Sequence, residues 1–483
     1  MSSIPLEVIY SPLYVNLRNH EVTEQINSGS FGRVSWKLFL ITILIEASLF
    51  LTFVTLPTKI NIVIWGSLGV LLFYLLVPNP LTTSIVLSVI VATVLPKSFG
   101  RALGIKIEEI FPLITGIFLL LEYFKGTLKP RSIGKTGKVL LLFLGVTFIS
   151  FISGLLKERN TILVLDEFLM ILGWGYYLFV IMAGLTYSDQ KFIIYALILS
   201  SLIVSLFYIF KFVSLHGSVR FRTDQQHIFN VTIPILFAFT LYSDKKLIKI
   251  LAMFLMIPMI LAVYITLTRA LWIFIPLALL GQYFFYIKTQ KHFKLFTRFL
   301  LPIVIIGVLG TFTLWALSHF WGVKTLLGQR IETFKFLEYD PSLMARAELG
   351  LYVFKRLRTE FLFGSGLGDF LRYQYFPTLG RFNVYWLDNT YLQLLWKTGI
   401  VGLFLFLLFI IYFLNRAKHL MVFGKTAWAK ILGTSLFFSF LTLALSSLQC
   451  GILIGYRFNF VWATLFALTE LCVQTLEDQT HPN

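Results

Sequence analysis

The sequence predicts an all-α, polytopic membrane protein, and three observations lead there. Hydrophobic residues make up 57% of the chain against 13% charged, with a mean hydropathy of +0.82, a balance that leaves too little polar surface to cover a water-soluble fold. Long stretches carry no charge at all, among them Ile62 to Val77, Val139 to Ile152 and Leu403 to Leu414. With their flanks they reach the roughly 20 residues that a spanning helix needs. The basic residues that give the chain its formal charge of +18 fall mostly in short clusters between those runs, where orientation signals belong.

Taken in order, residues 1–36 are polar and mixed and are expected as a cytoplasmic N-terminal segment. The first apolar run, Leu38 to Val54, lacks a small-residue cleavage site and reads as a signal anchor. About fourteen spans (12–14) are expected, beginning near residues 37, 60, 81, 107, 137, 162, 190, 228, 247, 270, 299, 390, 427 and 451. The first eleven occupy 37–318 and the last three 390–473, with 474–483 as a cytoplasmic tail. An even count puts both termini on one side. If that side is the cytoplasm, Lys125, Arg131, Lys245, Lys288, Arg416 and Lys425 all fall on inner loops, as the positive-inside rule requires.

Composition also excludes function classes. The 50 Phe, 21 Tyr and 10 Trp suit lipid-facing surfaces and interfacial belts better than a cofactor box. Basic clusters interleaved with spans argue against nucleic-acid binding. Cys450 and Cys472 fall near opposite ends of the last expected span, too far apart to bridge. No His/Cys cluster has metal-ligand spacing and no Asp-x-Asp is found, so the residues offer no metal-binding motif.

The outer side receives one long connection, 319–389, of mixed charged, aromatic and Gly-rich composition. Connections of this length are usually functional. Within it Pro341 to Glu360 reads as a helix, with Leu349, Val353, Leu357 and Phe361 at helical spacing beside Lys355, Arg356 and Arg358. It is expected to lie along the membrane surface as a lid. Phe363-Gly-Ser-Gly-Leu-Gly-Asp-Phe370 lacks the Lys-Ser/Thr of a P-loop and reads as a shaped turn.

Charges at the outer ends of spans carry the candidate chemistry. Arg220 and Arg222 lie between two spans, Arg269 sits at the tight turn Thr266-Leu-Thr-Arg-Ala-Leu-Trp, and Arg346 comes early on the loop helix. Each has a bland alternative in snorkelling to headgroups or pairing with Asp224 or Glu348. A guanidinium fixed at so short a turn as that of Arg269 is suited to phosphate oxygens, and a cluster of such groups suits a diphosphate on a lipid. Arg356 is counted with the substrate-binding set. Asp388 and Asn389 stand immediately before a long apolar span. Asp388 is placed to accept a proton from a hydroxyl nucleophile, and Asn389 either orients substrate or caps the helix. Gly399 and Gly402 read as packing residues.

Together these features resemble the O-antigen ligase and polymerase superfamily of bacterial envelope glycosyltransferases, over roughly residues 215 to 415. The order is similar: an Arg-containing loop, a Thr-Arg-Ala turn opening a span, a long loop with an early Arg, a Phe-Gly-x-Gly-x-Gly stretch, and the segment before the next span. The ligases read His-Asn in that last segment, then nine residues, then Gly-x-x-Gly. Here nine residues, Thr390 to Thr398, separate Asn389 from Gly399, but Asp388 stands in place of the histidine.

The resemblance implies a bacterial cytoplasmic-membrane enzyme with its site on the extracytoplasmic side. Its donor is a glycan on polyprenyl diphosphate, used without nucleotide sugar or metal. Arg269 and Arg346 would hold the diphosphate, with Arg222 as a third contact and Asp388 at the acceptor. The departure at Asp388 favours a polymerase of lipid-linked repeat units over a ligase that moves a finished glycan to a lipid core, polymer or protein. Membrane lipids, a chain-length regulator and a flippase are the expected partners. An anion transporter is the alternative from another class, and it calls for ionisable residues near mid-membrane, where the sequence offers chiefly Glu46.

Overall fold

In hydrocarbon no water satisfies the backbone, so each apolar run must close its hydrogen bonds internally, as a helix. The computed structural model describes residues 79–94, 107–126, 128, 131–214, 224–266, 268–290, 341–374, 381–455 and 458–480. These residues fall in one unit, Asn79–Asn483. The N-terminal segment 1–36, the spans expected near 37, 60 and 299, Glu46, Arg220, Arg222 and residues 319–340 of the long connection lie outside the described residues.

Where a span was expected among the described residues, a helix stands. They are α1 (Pro80–Val94), α2 (Ile107–Phe124), α3 (Gly134–Leu156), α4 (Thr161–Met182), α5 (Tyr187–Ser214), α6 (Phe229–Tyr242), α7 (Lys246–Ile265) and α8 (Arg269–Gln290). After the long connection come α10 (Thr390–Phe423), α11 (Ala427–Ser446) and α12 (Phe458–Thr480). Among the described residues eight of these helices are long and apolar enough to cross a membrane. The last begins at Phe458 rather than near 451, because Ile452–Ile454 winds as a separate 3-10 turn ahead of it. Cys450 thus lies outside that span, and both cysteines are free.

The core is aromatic. Trp174 of α4 packs edge-on against Phe406 and Phe409 of α10 and Phe466 of α12, and Phe440 of α11 closes on Phe466 and Trp462. The Trp174 indole NH donates to the Leu453 carbonyl at 2.9 Å, as a buried indole must find an acceptor.

Contacts between helix ends give the bundle two faces. Phe239 late in α6 meets Trp428 early in α11, and Tyr242 at the end of α6 meets Tyr286 late in α8. At that end Arg416 of α10 binds Glu470 and Glu477 of α12, at 2.9 and 2.6 Å. Gln474 donates to the Ser132 carbonyl just ahead of α3. Lysine-bearing turns therefore gather at one end, and the starts of α6, α8 and α10 lie at the other.

The long connection contributes α9, whose bounds Pro341–Glu360 coincide with the helix expected there. It also holds a small antiparallel hairpin that the all-α expectation did not include, β1 (Leu371–Gln374) with β2 (Arg381–Val384). Buried Leu371 next to exposed Arg372 supplies the alternation of a strand with one covered face.

Helix α9 is packed along the start of α10 rather than standing by itself. Arg346 meets Asp388, Gly350 lies beside Leu392, Val353 and Leu357 pack with Leu395 and Trp396, and Phe361 reaches Ile400. Numbers rise together on both chains, so α9 runs beside the first turns of α10 in the same direction. The reason is its apolar stripe, Leu349, Val353 and Leu357, which α10 rather than lipid covers.

Helix α10 is broken at Gly399, whose φ of 68° and ψ of −171° are not helical. The turn after α9 fills the break. Ser365 and Gly366 donate their backbone NH groups to the carbonyls of Trp396 and Lys397, at 2.8 and 3.2 Å. Ile400 and Val401 donate theirs to the carbonyls of Phe361 and Leu362, at 3.0 and 3.3 Å. Both orphaned helix ends are thus satisfied by one turn. Gly399 and Gly364 face each other at the closest approach, and a Cβ on Gly399 would strike the Leu362 carbonyl. Gly399→Ala is therefore expected to destabilise the protein by about 2 kcal/mol or more, since the positive φ alone costs roughly 1–2 kcal/mol. Thermal unfolding in detergent checks this against Gly145→Ala, where a Cβ meets nothing within 4 Å, and equal midpoints for the two would refute it.

Candidate functional site

The site is built where α10 begins. Asn389 is its N-cap, and the side-chain oxygen accepts from the NH groups of Tyr391 and Leu392, both at 3.0 Å. The amide nitrogen donates to the Leu448 carbonyl at 2.9 Å, and the Thr390 NH donates to the Ser447 carbonyl. The capping alternative thus accounts for Asn389, and these bonds tie the start of α10 to the turn after α11. Asp388, one residue earlier, is left projecting from this anchored corner with half of its side chain exposed.

Arg346 of α9 comes to meet it. Its guanidinium donates to the Asp388 carboxylate at 3.2 Å, with side-chain exposures of 30% and 52%. Two residues 42 positions apart in sequence are brought together by the same-direction packing of α9 on α10. An exposed pair of this kind is worth about 0–1 kcal/mol. It does not hold α9 in place, and an incoming anion or hydroxyl exchanges with it at little cost.

Arg269 is the first residue of α8. Its turn is pinned by Thr268, whose hydroxyl donates to the Gln226 side-chain oxygen at 3.0 Å. Gln225 in turn donates to the Val94 carbonyl at 2.7 Å. The turn that holds Gln225 and Gln226, Asp224–Ile228, directly follows the segment of Arg220 and Arg222. The helix-end contacts put the start of α8 at the end of the bundle that carries the start of α10, so Arg269 and the Arg346–Asp388 pair share one end.

Arg356 has a different neighbour. It lies 3.5 Å from Asp369, whose buried carboxylate also takes Arg159 at 2.7 Å and the Trp396 indole NH at 2.9 Å. Beneath Asp369 lies a buried ion pair. Lys397 of α10 donates to Glu167 of α4 at 2.7 Å and to the Asp369 carbonyl at 2.6 Å, and the Gly368 NH donates to the other oxygen of Glu167 at 2.8 Å. Sequence reasoning assigned Glu167, Lys397, Asp369 and Arg159 no role. The available signal was two opposite charges near the same end of two spans, which in a membrane are expected to find each other.

At the rim of the same turn Lys157 holds Glu360 at 2.5 Å and the Ser365 carbonyl at 3.2 Å. Burial acts to raise the pKa of Glu360, but the Lys157 hydrogen bond and the charges of Lys157 and Arg356 outweigh it and hold the carboxyl below its ordinary value of 4.5. Among the described residues no group of three His, Cys, Asp or Glu side chains is placed to hold a metal ion.

Fold and site together define a polytopic α-helical membrane protein in which a helix of the long connection brings an arginine to a carboxylate at the start of α10. Residues 251–407 match the protein-family model described as O-antigen ligase, which supports placing the chain in the O-antigen ligase/polymerase superfamily. The matched stretch holds Arg269, Arg346, Arg356, Asp388 and Asn389, and leaves Arg220, Arg222 and Glu167 outside it. No curated protein matches the chain.

Two outcomes follow. Lys397→Met leaves Glu167 charged and buried, with exposures of 2% and 9% in the intact pair, and is expected to cost about 3–5 kcal/mol. Glu167→Gln combined with Lys397→Met is expected to recover most of that in unfolding measurements; a double variant as unstable as the single one would contradict the pairing. For Glu360, a depressed folded pKa means that its contribution is complete above the ordinary carboxylate value and is lost as pH falls through the lower, folded one. The wild-type unfolding midpoint should therefore drop more steeply in acid than that of Glu360→Gln.

Proposed function

We propose that the protein is a polymerase of lipid-linked oligosaccharide repeat units, a metal-independent glycosyltransferase of the bacterial cytoplasmic membrane with its site on the extracytoplasmic side. The observation that carries this reading is the Arg346–Asp388 pair, an accessible cation and carboxylate at the mouth of α10 within the stretch that matches the O-antigen ligase model. The lysine-rich turns at the opposite end of the bundle favour the cytoplasm for that face.

In this reading the donor is a glycan on polyprenyl diphosphate. Arg346 and Arg269 bind the diphosphate, with Arg222 and Arg220 contributing from the preceding loop, and they stabilise the negative charge that grows as it leaves. The acceptor is a sugar hydroxyl on a second lipid-linked chain. Its oxygen forms the new bond to the anomeric carbon from the face opposite the diphosphate, the bond to the diphosphate oxygen breaks, and the hydroxyl proton passes to Asp388. The anomeric centre is inverted. Before substrate arrives, Arg346 and Asp388 occupy each other, and the diphosphate and the hydroxyl take over the two halves of the pair. A flippase that delivers the lipid-linked unit and a chain-length regulator are the partners that such a reaction calls for.

The description of the matching family as O-antigen ligase favours one second reading, transfer of a finished glycan to a lipid core, polymer or protein. Reconstitution with polyprenyl diphosphate-linked repeat units, without metal or nucleotide, separates the two. A polymerase gives a ladder spaced by one repeat. A ligase gives transfer in a single step once its acceptor is supplied, and no transfer with any acceptor would overturn both.

Arg269→Ala and Arg346→Ala are each expected to lower the rate by about 100-fold, the scale of losing one charge-stabilising donor. Lys425→Ala, at the other end of the bundle, should leave it unchanged, and similar losses for all three would refute the assignment.

A further inference from the structure

The turn that closes the break in α10 exposes its own side chains. Phe361, Leu362 and Phe363 are 54%, 59% and 49% exposed, and Phe354, about two turns earlier on α9, is exposed beside Lys355 and Arg358. Three consecutive large apolar residues at a loop tip are costly in water.

Two spans fix the level of this tip independently. In α10 the uncharged run Ile400–Asn415 measures roughly 24 Å at ~1.5 Å per residue. The tip is bonded to its first residues through the carbonyls of Phe361 and Leu362. In α3 the uncharged run Val139–Leu156 lies between Lys138 and Lys157 and measures roughly 27 Å. Lys157 at its end is bonded to Glu360 and Ser365 on either side of the tip. Both lengths approach the ~30 Å of a bilayer hydrocarbon core, and both place the tip at its boundary.

We infer that the Phe361–Leu362–Phe363 turn is seated in the bilayer, its side chains among the acyl chains just below the headgroups, with Lys355 and Arg358 reaching the lipid phosphates above. The occupant is the surrounding phospholipid, because the basic residues flank the apolar tip on the side where headgroup phosphates lie. The inference rests on the spans crossing a bilayer and is independent of which glycan transfer the protein performs.

The test uses the full chain with Cys450→Ser and Cys472→Ser, reconstituted in phosphatidylethanolamine/phosphatidylglycerol vesicles. An environment-sensitive fluorophore is attached at Leu362→Cys, or at Phe363→Cys if the first variant does not fold. Nitroxide-labelled lipid and aqueous iodide serve as quenchers. Expected are a blue-shifted emission, quenching by the lipid nitroxide and loss of iodide quenching, against the reverse at Asn383→Cys on the hairpin. Iodide quenching equal to that at Asn383→Cys, without lipid quenching, overturns the inference. Phe404→Cys, on the exposed face of α10, must be quenched by lipid; its failure would overturn the spanning assignment and this inference with it.

Discussion

The arrangement around the site depends on the closing of one broken helix. A span interrupted at Gly399 leaves backbone carbonyls and NH groups without partners, at a cost of several kcal/mol for each one in hydrocarbon. The turn after α9 supplies donors to one half and acceptors to the other. Because those bonds are made by backbone, they demand that the two chains come within van der Waals range, which is why glycines face each other across the break. Once the turn is seated, α9 has to run beside α10, and Arg346 is delivered to Asp388 by geometry rather than by the weak attraction of the pair itself.

The second constraint is charge in a low-dielectric setting. Lys397 and Glu167 are buried on different spans, and the cost of isolating either ion is large. They are satisfied together with the backbone of Gly368 and Asp369, so the same turn that completes the helix also completes the ion pair. The carboxylate of Asp369 then gathers Arg159, Arg356 and Trp396. The site region is therefore layered. Its lower part is buried and paired, and its upper part, Arg346 and Asp388, is open to solvent.

Much of this was legible in the sequence, and the limits have physical causes. Spans followed from uncharged runs because a continuous apolar run of about 20 residues crosses hydrocarbon as a helix, which closes its hydrogen bonds within itself. The bounds of α9 followed from the spacing of Leu349, Val353 and Leu357, but the same spacing says nothing about whether lipid or another helix covers the stripe, and α10 does. Asp388 and Arg346 were each readable as charges at the ends of apolar elements; their meeting was not, since it depends on the direction in which α9 packs. Arg356 was readable as a charge beside the apolar stripe of α9; that Asp369 is its neighbour was not. Gly399 read as a packing residue because a helix break is set by the turn that fills it, thirty-odd residues earlier in the chain. The hairpin β1–β2 was missed because four-residue strands leave too short an alternation to detect.

The clamp of Arg416 on Glu470 and Glu477 has a mechanical meaning. It grips α10 against α12 at the far end, while Lys397 grips it against α4 near the break. A beam held at two points cannot swing about the joint between them, and Gly399, for all its unusual backbone, is a fixed corner. Movement then belongs to the parts beyond the upper grip that the anchored start of α10 does not include: the first turns of α9 and the hairpin.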